Sequence, residues 1–207
     1  MRPNPIAGAP LQLDLIRTNP CRGIKALYKS SRADIIWTDT DLAALKAVAS
    51  PEVWWAVNLA AHTGLRAADL TVLSWAQIGE EAIIIPTSKS RGTREAFVPL
   101  YDDLRAALAE IPKRSPTVLT NEKGRPWIDG VNGTSFRNAR EAALPETELH
   151  FHDLRGTAAT RFHAAGLNHR EIADIMGWEE AQVDRIIRRY VGQSAVAQAI
   201  IKKLNKG

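Results

Sequence analysis

The sequence predicts an α+β fold, mainly α with a small antiparallel β-sheet. Three observations predict it. Apolar residues recur at three- and four-residue spacing through most of the chain, between recognisable helix-capping signals. Residues 82–100 switch instead to two short β-prone runs around a polar, glycine-containing connection. Finally, 45% of the 207 residues are hydrophobic, enough for a core without cross-links, and the one cysteine, Cys21, excludes an internal disulfide and a C-x-x-C metal site.

Each element has a local cause. Residues 1–33, rich in Pro, Gly, Asn and Arg without a sustained period, read as an N-terminal arm or linker, so the folded domain is expected over residues 34–207. Thr38-Asp39-Thr40-Asp41 matches a capping box and opens a helix through Leu42, Leu45 and Val48. Ser50-Pro51 starts a second helix that Gly64 stops. A third is expected from Arg66 to Trp75, with Leu70 and Leu73 on one side. Strands follow at Ala82–Pro86 and Ala96–Leu100, joined by the polar residues 87–94. Helices are then expected over Asp102–Ile111 and Asn132–Ala143, with a Pro/Gly-containing loop between them, and over Asp153–Ala165, ended by Gly166. Asn168-His169-Arg170-Glu171 is another capping box, and Glu179–Val191 and Ser194–Leu204 complete the chain.

Charge narrows the function classes less than the sequence pI of 9.4 suggests. The formal net charge is +4, but residues 1–33 hold six basic side chains and one acid, so residues 34–207 sum to −1. Local clustering says more: Arg185 to Gly207 holds six Lys or Arg and no acid, and Lys89, Arg91 and Arg94 crowd one short stretch. No apolar run approaches the roughly 20 residues of a membrane helix, and the N-terminus lacks the apolar stretch of a signal peptide. These features fit a cytoplasmic protein with no membrane partner.

One constellation carries chemistry. In Thr63-Gly64-Leu65-Arg66-Ala67-Ala68-Asp69 an arginine follows a helix break directly, and an acid three residues later shares its face, fixing the guanidinium beside a carboxylate. In His152-Asp153-Leu154-Arg155 the i, i+3 spacing places an imidazole and a second guanidinium on one helix face. Two arginines and a histidine can converge on one phosphate, which Arg suits because its planar fork gives two charge-assisted bonds and stays charged when desolvated.

These segments, over about residues 38–192, resemble the tyrosine recombinases, also called the phage integrase family. Thr63-Gly64-Leu65-Arg66 with Asp69 and Trp75 looks like the family's first arginine box, Ser88-Lys89 like its β-hairpin lysine, and His152-Asp153-Leu154-Arg155-Gly156-Thr157 like its second box. Met176-Gly177-Trp178 stands where members carry Gly followed by His or Trp, and Tyr190 stands near the expected nucleophile. The resemblance implies the tyrosine recombinase catalytic-domain fold and DNA cleavage and rejoining. Tyr190 would attack a DNA phosphate, Arg66 and Arg155 would hold its non-bridging oxygens and Lys89 would protonate the leaving oxygen. His152 would move the tyrosine proton, Trp178 would donate its indole N–H, and Asp69 would support Arg66 from behind. It also implies no metal and no ATP, double-stranded DNA as partner, a location on DNA, and a tetramer on DNA linked through the C-terminal helix, whose Val196, Ile200 and Leu204 form an apolar stripe. Arg91, Arg94, Arg185, Arg188 and Arg189 would contact DNA. Two departures stand out. Trp178 and Tyr190 are twelve apart where members have about nine, and residues 1–33 are too short for the core-binding domain that precedes this one in full-length members, so they read as its tail.

Plainer readings stand beside these. Arg185, Arg188 and Arg189 also fit a solvated face. Trp54 and Trp55 fit core and helix-surface packing. His150, His152, His163 and His169 lack zinc-motif spacing. From a different class, Ala165 to Gly177 has the helix, glycine turn and second apolar-spaced helix of a helix-turn-helix regulator, although Phe162 stands where a small residue packs best and the Arg66 and Lys89 boxes are then unexplained. A catalytically silent DNA-binding fragment of the same fold is the third reading.

Overall fold

The computed structural model of the chain describes residues 35–86, 95–127, 131 and 133–190, with side chains up to Arg188. The chain divides into two units, Met1–Ser31 and Arg32–Gly207, and the fold below is that of the second. The arm expected over residues 1–33, the strand connection 87–94 and the helix expected over 194–204 lie outside the described residues.

The first two helices start and stop where the sequence places them. In α1 (Asp39–Val48) Thr38 Oγ1 accepts from Asp41 N at 3.2 Å, while Thr38 N donates back to Asp41 Oδ2 at 2.8 Å. Leu42 and Leu45 are buried, and Val48, one turn on, is exposed at the helix end. Helix α2 (Pro51–Thr63) has Ser50 as cap and Pro51 at its first position, and ends at Gly64 in the left-handed region (φ 63°).

The third helix is shorter than expected. α3 spans only Ala67–Val72. Leu73 to Trp75 is drawn off into pairing with the loop before Val118: Val118 N donates to Leu73 O at 2.8 Å and Trp75 N to Pro116 O at 3.0 Å, leaving Trp75–Gln77 as a 3-10 turn. Backbone groups can be satisfied by helix or by bridge, and here the bridge won. Leu70 and Leu73 are nonetheless both fully buried.

Strands β1 (Ala82–Pro86) and β2 (Glu95–Pro99, one residue earlier than expected) form an antiparallel pair with Ile83 opposite Val98 and Ile85 opposite Ala96. Those four are buried; the alternating pair Ile84 and Phe97 faces out, as a half-buried sheet requires. Helices α4 (Asp102–Ala109) and α5 (Thr134–Ala143) follow, each ending or starting two residues inside its expected span. The helix expected from Asp153 begins instead as a 3-10 turn at Phe151–Asp153, which His150 N closes by donating to Asp153 Oδ2 at 2.7 Å, and continues as α6 (Leu154–Ala164). Gly166 (φ 96°) then turns the chain, Leu167 N returns to Phe162 O at 3.1 Å, and the Asn168/Glu171 capping box opens α7 (His169–Met176). α8 spans Glu180–Tyr190.

Helix α2 sits at the centre, against α6 and α4, while α1 packs on α5 and α7 on both β2 and α8. Alanines 56, 60 and 61 of α2 and alanines 158 and 159 of α6 are all buried, and these two helices, which carry site residues at their ends, pack on each other. No helix among the described residues is long and apolar enough to cross a membrane.

Candidate active site

Three chain segments meet where α2 ends, α6 begins and α7 ends. Gly64, in the left-handed region, turns the chain out of α2 and delivers Leu65 into the core (1% exposed) and Arg66 to the edge of the next helix. Arg66 caps α3 with extended backbone, and its Nη1 lies 3.7 Å from Oδ2 of the buried Asp69, an ion pair across i, i+3. The carboxylate beside the arginine is thus where the spacing places it.

Arg155 enters from the first turn of α6. It is 3% exposed, donates through Nη1 to the carbonyl of Gly64, and lies with its guanidinium 4.8 Å over the ring of Trp178. Trp178 arrives there because Gly177 ends α7 in the left-handed region, and the next N–H returns to Ala173 O at 2.8 Å, folding the indole inward. The indole is 7% exposed. Burial, then the neighbouring Arg66, lowers the Arg155 pKa to about 9, with Asp69 acting in the opposite sense. Arg155 therefore remains a cation at neutral pH, and the two guanidiniums share one carboxylate. Arg66 Nη1, Arg155 Nη2 and Trp178 Nε1 are buried and make no hydrogen bond among the described residues. A cluster with excess positive charge and N–H donors without a hydrogen-bond partner has the chemistry to hold an anion with several oxygens.

His152 stands on the 3-10 turn rather than on the helix proper, so it reaches the cluster from the turn preceding Arg155. It keeps contact with solvent, yet desolvation of the ring, followed by Arg155 and Arg66, lowers its pKa, while Asp153 raises it. The shift favours the neutral imidazole, the form that can accept a proton.

The other expected residues divide in two. Arg185 is exposed on α8, and Arg188, also exposed, donates to Asp184 at 2.8 Å, so one of its bonds is already used by its own helix. Tyr190 is the last residue of α8, and its side chain lies outside the described residues with that of Arg189, as do Lys89, Arg91 and Arg94. Among the described residues no group of His, Cys, Asp and Glu is arranged to hold a metal ion. The helix pair around Gly166 has the outline of a helix-turn-helix, but the exposed face of α7 carries Glu171 and Asp174 beside Arg170, the wrong charge to enter a groove of DNA. Its apolar face and Met176 are core, and Phe162 is buried beneath it. Sequence reasoning missed one participant, the Gly64 carbonyl; the glycine was legible only as a helix stop.

The model of the phage integrase family matches residues 37–195. Comparison with curated proteins gives no match. Similar solved structures include a lambda integrase dimer bound to a COC′ core site (18% identity over 84% of this chain and 68% of that one, TM-score 0.65). A lambda integrase tetramer bound to a Holliday junction is 20% identical over 86% of this chain and 56% of that one, with TM-score 0.64. The Tn1549 transposon integrase in complex with transposon right end DNA is 17% identical over 97% of this chain and 76% of that one, with TM-score 0.66. These likenesses show the tyrosine recombinase catalytic-domain fold.

Proposed function

The chain belongs to the phage integrase family, and from that premise we propose that it performs site-specific DNA recombination, cleaving and rejoining strands through a 3′-phosphotyrosine. The observation that carries this reading is the buried Arg155 beside the half-buried Arg66, with the Asp69 carboxylate paired to Arg66 and an unbonded N–H group on each arginine. A phosphodiester is the anion that DNA offers to such a cluster, and donors fixed before the reaction favour the extra negative charge that builds on phosphorus in the transition state.

In the proposed step Tyr190 Oη attacks the scissile phosphorus. A tyrosyl–phosphorus bond forms and the bond to the 5′ oxygen breaks. The phenol proton passes to the neutral imidazole of His152, and the leaving oxygen takes a proton from the Lys89 ammonium. Arg66, Arg155 and the Trp178 indole N–H hold the non-bridging oxygens, and Asp69 keeps Arg66 in place. The phosphotyrosine keeps the ester bond energy, so attack by the 5′-hydroxyl of another strand reverses the step without ATP. Arg91, Arg94, Arg185, Arg188 and Arg189 contact the flanking backbone. Several copies assemble on double-stranded DNA, in line with the dimeric and tetrameric DNA-bound neighbours, and the apolar stripe of Val196, Ile200 and Leu204 links them.

The test is a denaturing gel of protein incubated with a nicked suicide duplex bearing its recombination site. The wild type is expected to form a covalent adduct and Tyr190→Phe to form none while still binding. Arg66→Ala and Arg155→Ala are expected to lose the adduct and to bind phosphate more weakly. An adduct that survives in Tyr190→Phe overturns the reading. A wild type that binds its site and forms no adduct marks a silent DNA-binding fragment.

A further inference from the structure

Gly64 lies where the segments carrying Arg66, Arg155 and Trp178 approach one another. It precedes Arg66 by two residues, and its carbonyl receives Arg155 Nη1. A Cβ placed on it would meet Met176 Cε at 2.4 Å, Ala158 Cβ at 3.2 Å and Met176 Cγ at 3.4 Å. Ala158 follows Arg155 by three residues on α6, and Met176 precedes Trp178 by two. Both are fully buried, so neither has solvent to move into.

We propose that Gly64 is a positioning residue for phosphate binding: its bare α-carbon sets how closely the three segments approach, and its carbonyl orients Arg155 so that Nη2 stays available to the phosphate. The inference rests on the phosphate-binding reading of the arginine pair. With φ at 63°, no L side chain fits without strain, but strain alone is not the point. A glycine whose only task is to end a helix can face open space; this one faces the methionine next to the Gly177 turn and the helix that carries Arg155. A methyl group at Gly64 would press on Met176 and Ala158 together, widening the separation between the Arg66 segment and α6 and lengthening the bond from Arg155 to the carbonyl. The Met176 side chain is the softer of the two neighbours, which makes it the place to restore room.

The experiment titrates the full chain with orthovanadate, an oxyanion that adopts the geometry of phosphorus under attack, followed by tryptophan fluorescence, and measures urea stability in parallel. Gly64→Ala is expected to weaken vanadate binding about tenfold. Gly64→Ala with Met176→Ala is expected to recover most of that affinity while becoming less stable than Gly64→Ala, because the second change removes buried side-chain atoms. Affinity and stability then move in opposite directions, which a purely structural role does not allow. In nitrogen-15 spectra, slow rotation of the Arg155 Nη1 group is expected in the wild type and in the double variant, and faster rotation in Gly64→Ala. Wild-type vanadate binding that Gly64→Ala leaves unchanged, or affinity that follows stability down in the double variant, overturns the inference. If Arg66→Ala and Arg155→Ala bind vanadate as the wild type does, the phosphate-binding reading itself falls and takes this inference with it.

Discussion

Arg155 is nearly sealed from solvent and yet charged, a combination that a protein core normally rejects by several kcal/mol. Three partners offset the cost: the Gly64 carbonyl, the face of Trp178, and Asp69 acting through space. The arrangement satisfies the fold while leaving Nη2 unbonded. The same two arginines act on His152, whose pKa is lowered by burial, then by Arg155 and Arg66. His62, lowered by burial and by Arg161, is displaced in the same direction. In both cases the folded state resists a proton that the unfolded chain accepts below about 6.5, so the unfolded state binds more protons there and stability falls as pH falls. Chemical denaturation at pH 7.5 and pH 5.5 is expected to show this loss, and His62→Gln is expected to reduce it. In an NMR titration His152 is expected to protonate below the ordinary histidine range and to move back toward it in Arg66→Ala. An unchanged His152 titration in that variant would break the link between the two residues.

At the scale of elements, helix limits depend on glycine geometry whose consequences differ by place. Gly166 turns α6 into α7 at φ 96°, and a Cβ on it would meet nothing within 4 Å, whereas Gly64 faces two buried neighbours. Gly166→Ala is therefore expected to cost only the left-handed backbone strain, about 1 kcal/mol, in urea denaturation, and to leave vanadate affinity as it was. A fall in affinity would mean that the α6–α7 corner itself tunes the arginine pair. Caps and breaks of this kind were legible in the sequence because they are local: Thr38 with Asp41, Ser50-Pro51 and Asn168 with Glu171 each satisfy N–H groups within four residues. The end of α3 was not, because Leu73 and Trp75 are claimed by residues 116–118, some forty positions away. For the same reason Arg66, Asp69 and Arg155 could be singled out from spacing, but their convergence could not. The bond from Arg155 to Gly64 spans 91 positions and depends on α2 and α6 packing on each other. Nor could spacing tell that His152 would fall on a 3-10 turn, since the Asp153 carboxylate that caps His150 tightens the chain just before α6.

For the whole molecule, charge is distributed so that, under the proposed function, attraction to DNA would come from a few places rather than from the net. Residues 34–207 sum to −1, and the basic side chains assigned to DNA lie in the strand connection and along α8. Each phosphate neutralised lowers log K by about 0.9 per decade of salt, so four such contacts among Lys89, Arg91, Arg94 and the α8 arginines give a slope near −3.6. Duplex affinity is then expected to fall by about two orders of magnitude between 50 and 200 mM salt. The α8 residues are not equal in this. Arg185 carries no ion pair among the described residues, whereas Arg188 must share its guanidinium with Asp184, which also lies 3.7 Å from His169. Surface pairs of this kind are weak, yet part of what Arg188 would gain from a phosphate would be returned in loosening Asp184. Arg185→Ala is therefore expected to flatten the salt slope by nearly one full contact and Arg188→Ala by less. Asp184→Asn should raise affinity at low salt by freeing Arg188 and removing a nearby negative charge. Fluorescence anisotropy over a salt series checks all three, and a slope near zero in the wild type would show that binding does not run through these side chains.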